Sequence, residues 1–175
     1  VFDEEKLKWF NREYIKMLND ETFIEHSRPF LPEWISATGD TMKRLIPVLR
    51  DKVAIFSDIE ALFAPTGELA FVNKLADFGA DRLLWKKNPD AKTSKAHLEE
   101  CRARLEKIRF ESFTADALKV AIWDYAETKG RGDVLWPLRV ALTGQDKSPD
   151  PFVSASILGK DESLKRIDLA IKKLG

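Results

Sequence analysis

An all-α fold is predicted, on three observations. Apolar residues recur at three- and four-residue spacing along most of the 175 residues. The two-residue alternation of half-buried strands is almost absent. The helical pattern breaks at proline and glycine turns: Pro29 with Pro32, Pro65-Thr66-Gly67, Asn88-Pro89-Asp90 and Ser148-Pro149-Asp150-Pro151.

Asp3 suits the N-cap of a first helix reaching Leu18, with Leu7, Phe10, Tyr14 and Leu18 on one face and Trp9 and Ile15 beside them. Asp20 or Thr22 starts a short second helix to Ser27. Gly39-Asp40 introduces a third through Met42, Leu45, Ile46 and Leu49, where Pro47 predicts a kink or break. Ser57-Asp58-Ile59-Glu60 has capping-box spacing and opens another helix. A helix carrying Leu83, Leu84 and Trp85 is expected before the Asn88 turn. Leu98, Cys101, Leu105 and Ile108 then form a stripe after an N-cap at Thr93 or Ser94. Thr114 caps a helix with Leu118, Ala121, Ile122 and Tyr125 inward, closed by Gly130. A helix over 134–143 ends at Gly144, and the last runs from Asp161 with Leu164, Ile167, Ile171 and Leu174 in line. Short connections favour neighbouring helices packing into bundles.

Composition bounds the function. Hydrophobic residues are 44% and charged residues 33%, which is globular. Lys and Arg number 29 and so do Asp and Glu, so any nucleic-acid role needs a local patch rather than a global field. One cysteine, Cys101, excludes an internal disulfide and a thiolate zinc site, and fits a reducing, cytoplasmic setting. No apolar run reaches a membrane span of ~18 residues, so no membrane partner is expected. The first residue is Val and helical sequence begins at once, which reads as a fragment of a longer protein.

Catalytic chemistry is hard to find. His26 and His97 lie far apart, and no Asp, Glu and His share a metal-ligand spacing. His97 and Cys101 sit beside or on a core stripe, where packing explains them better than reactivity. Lys92-Thr93-Ser94-Lys95 has the look of a phosphate-holding lysine loop, but no parallel sheet is encoded to support a nucleotide. Trp123 and Trp136 read as core, and Trp34, in a proline-broken loop, as a possible surface contact.

Two stretches carry a resemblance. Phe2-Asp3-x-x-Lys6-Leu7-x-Trp9-x-Asn11-x-x-Tyr14-Ile15 opens the chain. Trp136-Pro137-Leu138-Arg139-Val140-Ala141-Leu142-Thr143-Gly144, then Ser148-Pro149 and Phe152, then Ile157-Leu158-Gly159-Lys160-x-x-Ser163-Leu164-x-Arg166-Ile167 lie near its end. Both resemble, in order and separation, the C-terminal part of bacterial-type glutamyl-tRNA synthetase. The resemblance implies an α-helical cage of two helical subdomains that binds the anticodon loop of glutamate tRNA. It implies residues 1–18 as the end of the connecting, stem-contacting region, 19–130 as the first anticodon-binding subdomain and 131–175 as the second. The turn from Gly130 to Asp133 is the boundary between the last two. A monomer is expected. ATP, with magnesium, belongs to the upstream catalytic domain, so this fragment is expected to hold no cofactor or metal and to be inactive alone. The family's lysine loop precedes the opening segment, so Lys92 to Lys95 do not match it.

The RNA-binding residues implied are Arg139, Ser148, Pro149, Pro151, Lys52 and Arg50. Arg139, on a helix that begins next to Pro137, offers a planar fork for base edges or phosphate. The Ser148-Pro149 loop offers backbone polar groups and a rigid apolar face for an unstacked base. The bland alternatives are an internal salt bridge for Arg139 and helix termination for the prolines. In the family a basic residue, typically arginine, precedes a stretch like Val53-Ala54-Ile55-Phe56 and reads the third anticodon base. Lys52 falls there, and lysine lacks the bidentate fork, so Arg50 is a substitute and discrimination between glutamate and glutamine tRNA stays open. For both, a solvated basic helix end is the alternative. The competing function class is a helical protein-interaction module without RNA binding.

Overall fold

The computed structural model describes residues 3–175; Val1 and Phe2, the latter part of the opening resemblance, lie outside the described residues. Nine α-helices are found among the described residues. The strand content there is a single isolated bridge, Trp85 to Asn88. The chain forms two compact units, one up to Ala70 and one from Phe71 to Gly175.

The first unit holds α1 (Glu4–Met17), α2 (Asp20–Ser27), α3 (Asp40–Lys52) and α4 (Asp58–Phe63). Asp3 caps α1 by accepting from the Lys6 N–H at 3.1 Å. Asn19, rather than Asp20 or Thr22, caps α2. Both α1 and α2 pack on α3, whose Met42, Leu45 and Leu49 are fully buried beside Phe23, Val53 and Ile59. The helix α3 runs through Pro47 without a break. Pro47 is exposed, so water can take the Lys43 carbonyl that it leaves without a backbone donor. The expected capping box at Ser57 does not form. Asp58 turns back instead and accepts from the N–H groups of Ala54 and Ile55. The apolar face of α1 is largely uncovered in its own unit. Ile15 is its buried residue, while Leu7, Phe10 and Tyr14 are 46, 53 and 64% exposed. Helical spacing marks an apolar face but not what covers it.

The second unit holds α5 (Ala91–Glu106), α6 (Ala115–Lys129), α7 (Arg131–Thr143), α8 (Pro151–Leu158) and α9 (Lys160–Lys173). The helix α7 touches the other four, and Val134, Pro137, Leu138 and Val140 to Thr143 are all buried. A helix apolar on nearly every side belongs inside its bundle. The turn at Gly130 joins two packed helices, α6 and α7, within the second compact unit. Pro137 sits inside α7, which starts at Arg131 and not beside Pro137. No full helix forms around Leu83 to Trp85; a short 3-10 turn, Ala80–Leu83, stands there. The helix α8 escaped the sequence pattern, although Asp150 at its N-cap and Pro151 at its first position are ordinary start signals. Asp90, not Thr93 or Ser94, caps α5.

The expected interior residues lie where their stripe placed them. Cys101 is fully buried, and burial pushes its thiol up to about 12. His97 is 7% exposed and shares a 2.7 Å hydrogen bond between Nδ1 and the Tyr125 hydroxyl. Desolvation lowers the His97 pKa below 6.5, with Lys129 adding to the shift and Asp133 opposing it. A histidine depressed in the folded state takes up its proton more readily when unfolded. Its contribution to stability is present at neutral pH and is lost as pH falls below the unfolded value of ~6.5. Thermal melts are expected to show a midpoint falling between pH 7.5 and 5.5, with a shallower fall in His97→Gln.

Candidate functional site

The residues expected to meet RNA fall in both units. In the first, Arg50 and Lys52 lie in the last turn of α3. Arg50 is committed internally. Its Nη2 donates to the Leu18 carbonyl at 2.7 Å and to Asp20 Oδ1 at 2.8 Å, and its guanidinium lies 5.1 Å from the centre of the Phe23 ring. It fastens the α1–α2 junction to α3. Lys52 forms a 2.5 Å ion pair with Glu68. Both members of that pair are partly exposed, so it is a weak tether that an incoming group could displace.

In the second unit, Arg139 projects from α7, and the turn after that helix is tightly built. Thr143 Oγ1 donates to the Arg139 carbonyl at 2.8 Å and accepts from the Gln145 N–H at 3.1 Å. Gly144 ends the helix at φ +65, and a Cβ there would stand 2.7 Å from the Ala76 carbonyl oxygen, so glycine alone fits. Asp150 then caps α8, accepting from the N–H groups of Phe152 and Val153 at 2.9 and 3.0 Å. Ser148 and Ser154 both donate to the Pro149 carbonyl.

This geometry sorts the expected residues. Arg139 and Pro151 line one cleft of about 410 Å³, together with Lys119, Trp123, Leu135 and Phe152. Pro149 and Pro151 are both buried; Pro151 borders the cleft, while Pro149 passes its carbonyl to two serines. Ser148 is half-buried beside it. Arg139 makes no ion pair among the described residues. Its nearest partner is the Asp146 carbonyl, at 3.5 Å, while the Asp146 carboxylate is held by Arg82 at 2.6 Å. The internal salt bridge that would have explained Arg139 is therefore absent among the described residues.

Three side chains at the site escaped the sequence reading. Trp123, taken as core, is half-buried and lines the cleft, with Lys119 Nζ 4.9 Å and the Arg131 guanidinium 4.8 Å from its ring centre. A basic residue four positions before a tryptophan was the available signal for Lys119 and Trp123. Trp85 borders a second cleft with Trp136 and Arg139. Trp34 is 41% exposed and meets Phe63 edge-on at 5.7 Å, away from any cation pair.

The Lys92 to Lys95 segment does not suit a nucleotide. The Asp90 carboxylate already occupies the N-terminus of α5, Ser94 is buried, and Lys95 donates to the Gly175 carbonyl. No group of His, Cys, Asp and Glu among the described residues could hold a metal ion, and no helix there is long and apolar enough to cross a membrane.

Residues 22–171 match the family model described as anticodon binding domain. The chain belongs to that family. Curated relatives include glutamate–tRNA ligases of Clostridium acetobutylicum, 34% identical, and Clostridium kluyveri, 36% identical. Each match covers 99% of this chain but 35% of the relative, so the chain spans about a third of the length of those relatives. A crystal structure of a glutamate tRNA ligase from Elizabethkingia meningosepticum superposes with a TM-score of 0.69 at 25% identity, covering 99% of this chain and 33% of that one. The glutamate-tRNA synthetase of Elizabethkingia anophelis gives 0.65 at 25% identity, covering 98% and 32%.

The two basic residues of α3 separate by stability. Arg50→Ala removes two hydrogen bonds and a ring contact and is expected to destabilise by about 1.5–3 kcal/mol. Lys52→Ala removes one exposed pair and is expected to cost less than about 1 kcal/mol. Denaturant unfolding of the two variants measures the difference.

Proposed function

We propose that this chain holds the anticodon loop of glutamate tRNA, as part of a glutamate–tRNA ligase that attaches glutamate to that tRNA using ATP. The observation that carries the reading is Arg139. It is a guanidinium without an ion-pair partner among the described residues, set in the wall of a cleft lined by Trp123, Phe152, Pro151 and Lys119 together with Asp116 and the capping Asp150. Anticodon bases are unstacked in a loop, and such bases are taken up by apolar faces and read on their edges by planar donors. Trp123, half-buried, supplies the face and Arg139 the fork; Pro151 and Phe152 line the same cleft as buried residues, and Ser148 lies in the same turn as a polar neighbour.

In this reading the two units serve as the two helical subdomains of the anticodon-binding region. Lys52 is the departure from the family's usual arginine. Glu68 holds its ammonium in place as a point charge, and Arg50 is a strut of the first unit rather than a substitute reader. The parent acts as a monomer in the cytoplasm, and its ATP and magnesium are held by the catalytic domain. The helical protein-interaction module is not favoured beside a family match over residues 22–171.

Arg139→Ala is expected to weaken binding of glutamate tRNA by about 1–3 kcal/mol, the scale of a lost charge-assisted contact. Its helical circular dichroism and melting midpoint are expected to stay unchanged. Arg139→Lys should recover only part of the affinity, because the fork is lost. Filter-binding titrations at two salt concentrations check all three. Full affinity in Arg139→Ala would return this residue to a structural role.

A further inference from the structure

We propose that the cleft between Trp85 and Trp136 is a second stacking site, taking the base next to the one held at Pro151; this rests on the RNA-loop reading above. The cleft measures about 360 Å³ and is lined by Leu84, Trp85, Lys86, Trp136 and Arg139. Its two indoles stand 5.7 Å apart with their planes tilted at 47°, neither stacked flat nor edge-on. Both are half-buried.

The cleft is built before any ligand arrives. Trp136 Nε1 donates to the Arg82 carbonyl at 2.9 Å, which fixes that ring and satisfies its only donor. The Trp85 ring lies against Gly132, where a Cβ would come within 2.5 Å of it. Asn88 Nδ2 donates to Asp133 Oδ1 at 2.8 Å and clips the Trp85–Asn88 turn onto α7. Rings held this way lose little freedom on binding.

The chemistry of the occupant follows from the lining. With the Trp136 N–H already used, the walls offer aromatic faces and no hydrogen-bond code. Every base has a π-face, so the site accepts purines and pyrimidines alike. Lys86 Nζ lies 6.0 Å from the Trp85 ring and suits the phosphate of the bound nucleotide, and Arg139 lines the cleft as well. Arg139 also walls the Pro151 cleft. Bases taken in two clefts that share the Arg139 wall are neighbours along a strand. One site then positions without reading, while the other reads.

The test uses a stem–loop RNA carrying the anticodon loop of glutamate tRNA, with the base deleted at one loop position at a time. Trp85→Leu is expected to weaken binding about 5- to 150-fold, the range of base–aromatic stacking. One base deletion should weaken the wild-type chain comparably yet add nothing in Trp85→Leu, and its neighbour should couple in the same way to Trp123→Leu. Gly132→Ala, which displaces the Trp85 ring, should reproduce the loss. Lys86 is exposed, so Lys86→Glu keeps the fold and should weaken binding about 5-fold or more even if Trp85→Leu melts early. Unchanged affinity in Lys86→Glu and Trp85→Leu, beside a loss in Arg139→Ala, overturns the second site alone. Deletion losses that add fully in Trp85→Leu at every position overturn it too. A wild-type chain that ignores the stem–loop overturns the RNA reading itself.

Discussion

The second unit depends on one buried cation. Arg166 is 3% exposed, and its Nη1 donates to the Leu142 carbonyl at 2.7 Å and to the Phe71 carbonyl at 3.0 Å, while Nε donates to Glu162 at 2.7 Å. A charge taken out of water costs several kcal/mol unless its donors are met, and here a carboxylate and two carbonyls meet them. Burial pushes the Glu162 carboxyl up, but Arg166 and Lys165 more than offset this and hold it below its usual value. The contact joins α9 to the last turn of α7, where the carbonyls have no helical partner. Everything placed by that turn, from Thr143 to the Asp150 cap, inherits its position from Arg166.

The same division of labour recurs across the site. Side chains that fix the backbone are satisfied internally: Thr143, Asp150, Ser154 and the Trp136 N–H. Arg139 instead keeps most of its donors for solvent or a ligand. A site on rigid elements, with its supporting hydrogen bonds already made, spends little of its binding free energy on ordering itself.

Legibility in the sequence followed how local each signal is. The α5, α6 and α9 stripes were readable because each repeats over three turns or more, and Thr114 and Gly130 marked the ends of α6. The helix α8 was missed because the eight residues from Pro151 to Leu158 carry too little periodicity. The segment around Trp85 was misread as a helix because its apolar run is held by tertiary contacts, with Gly132 and Asp133, that lie some 45 positions away. Arg139 was legible through the resemblance, but its lack of an ion pair was not, since that depends on Arg82 taking the Asp146 carboxylate. Pro149 and Pro151 look alike in sequence and the fold buries both; only Pro151 also borders a cleft.

The tying of basic side chains to carboxylates has a kinetic consequence. Arg50, Lys52, Arg82, Arg102, Arg104 and Arg131 are each paired, and the formal net charge is zero. Such a surface projects little field beyond a Debye length, so it neither draws polyanions in from a distance nor holds them once they collide. Encounters with ribosomal or messenger RNA should be brief. Under the proposed RNA reading, residence time is set by whether a loop presents its bases in the spacing of the two clefts, and selectivity resides in the dissociation rate.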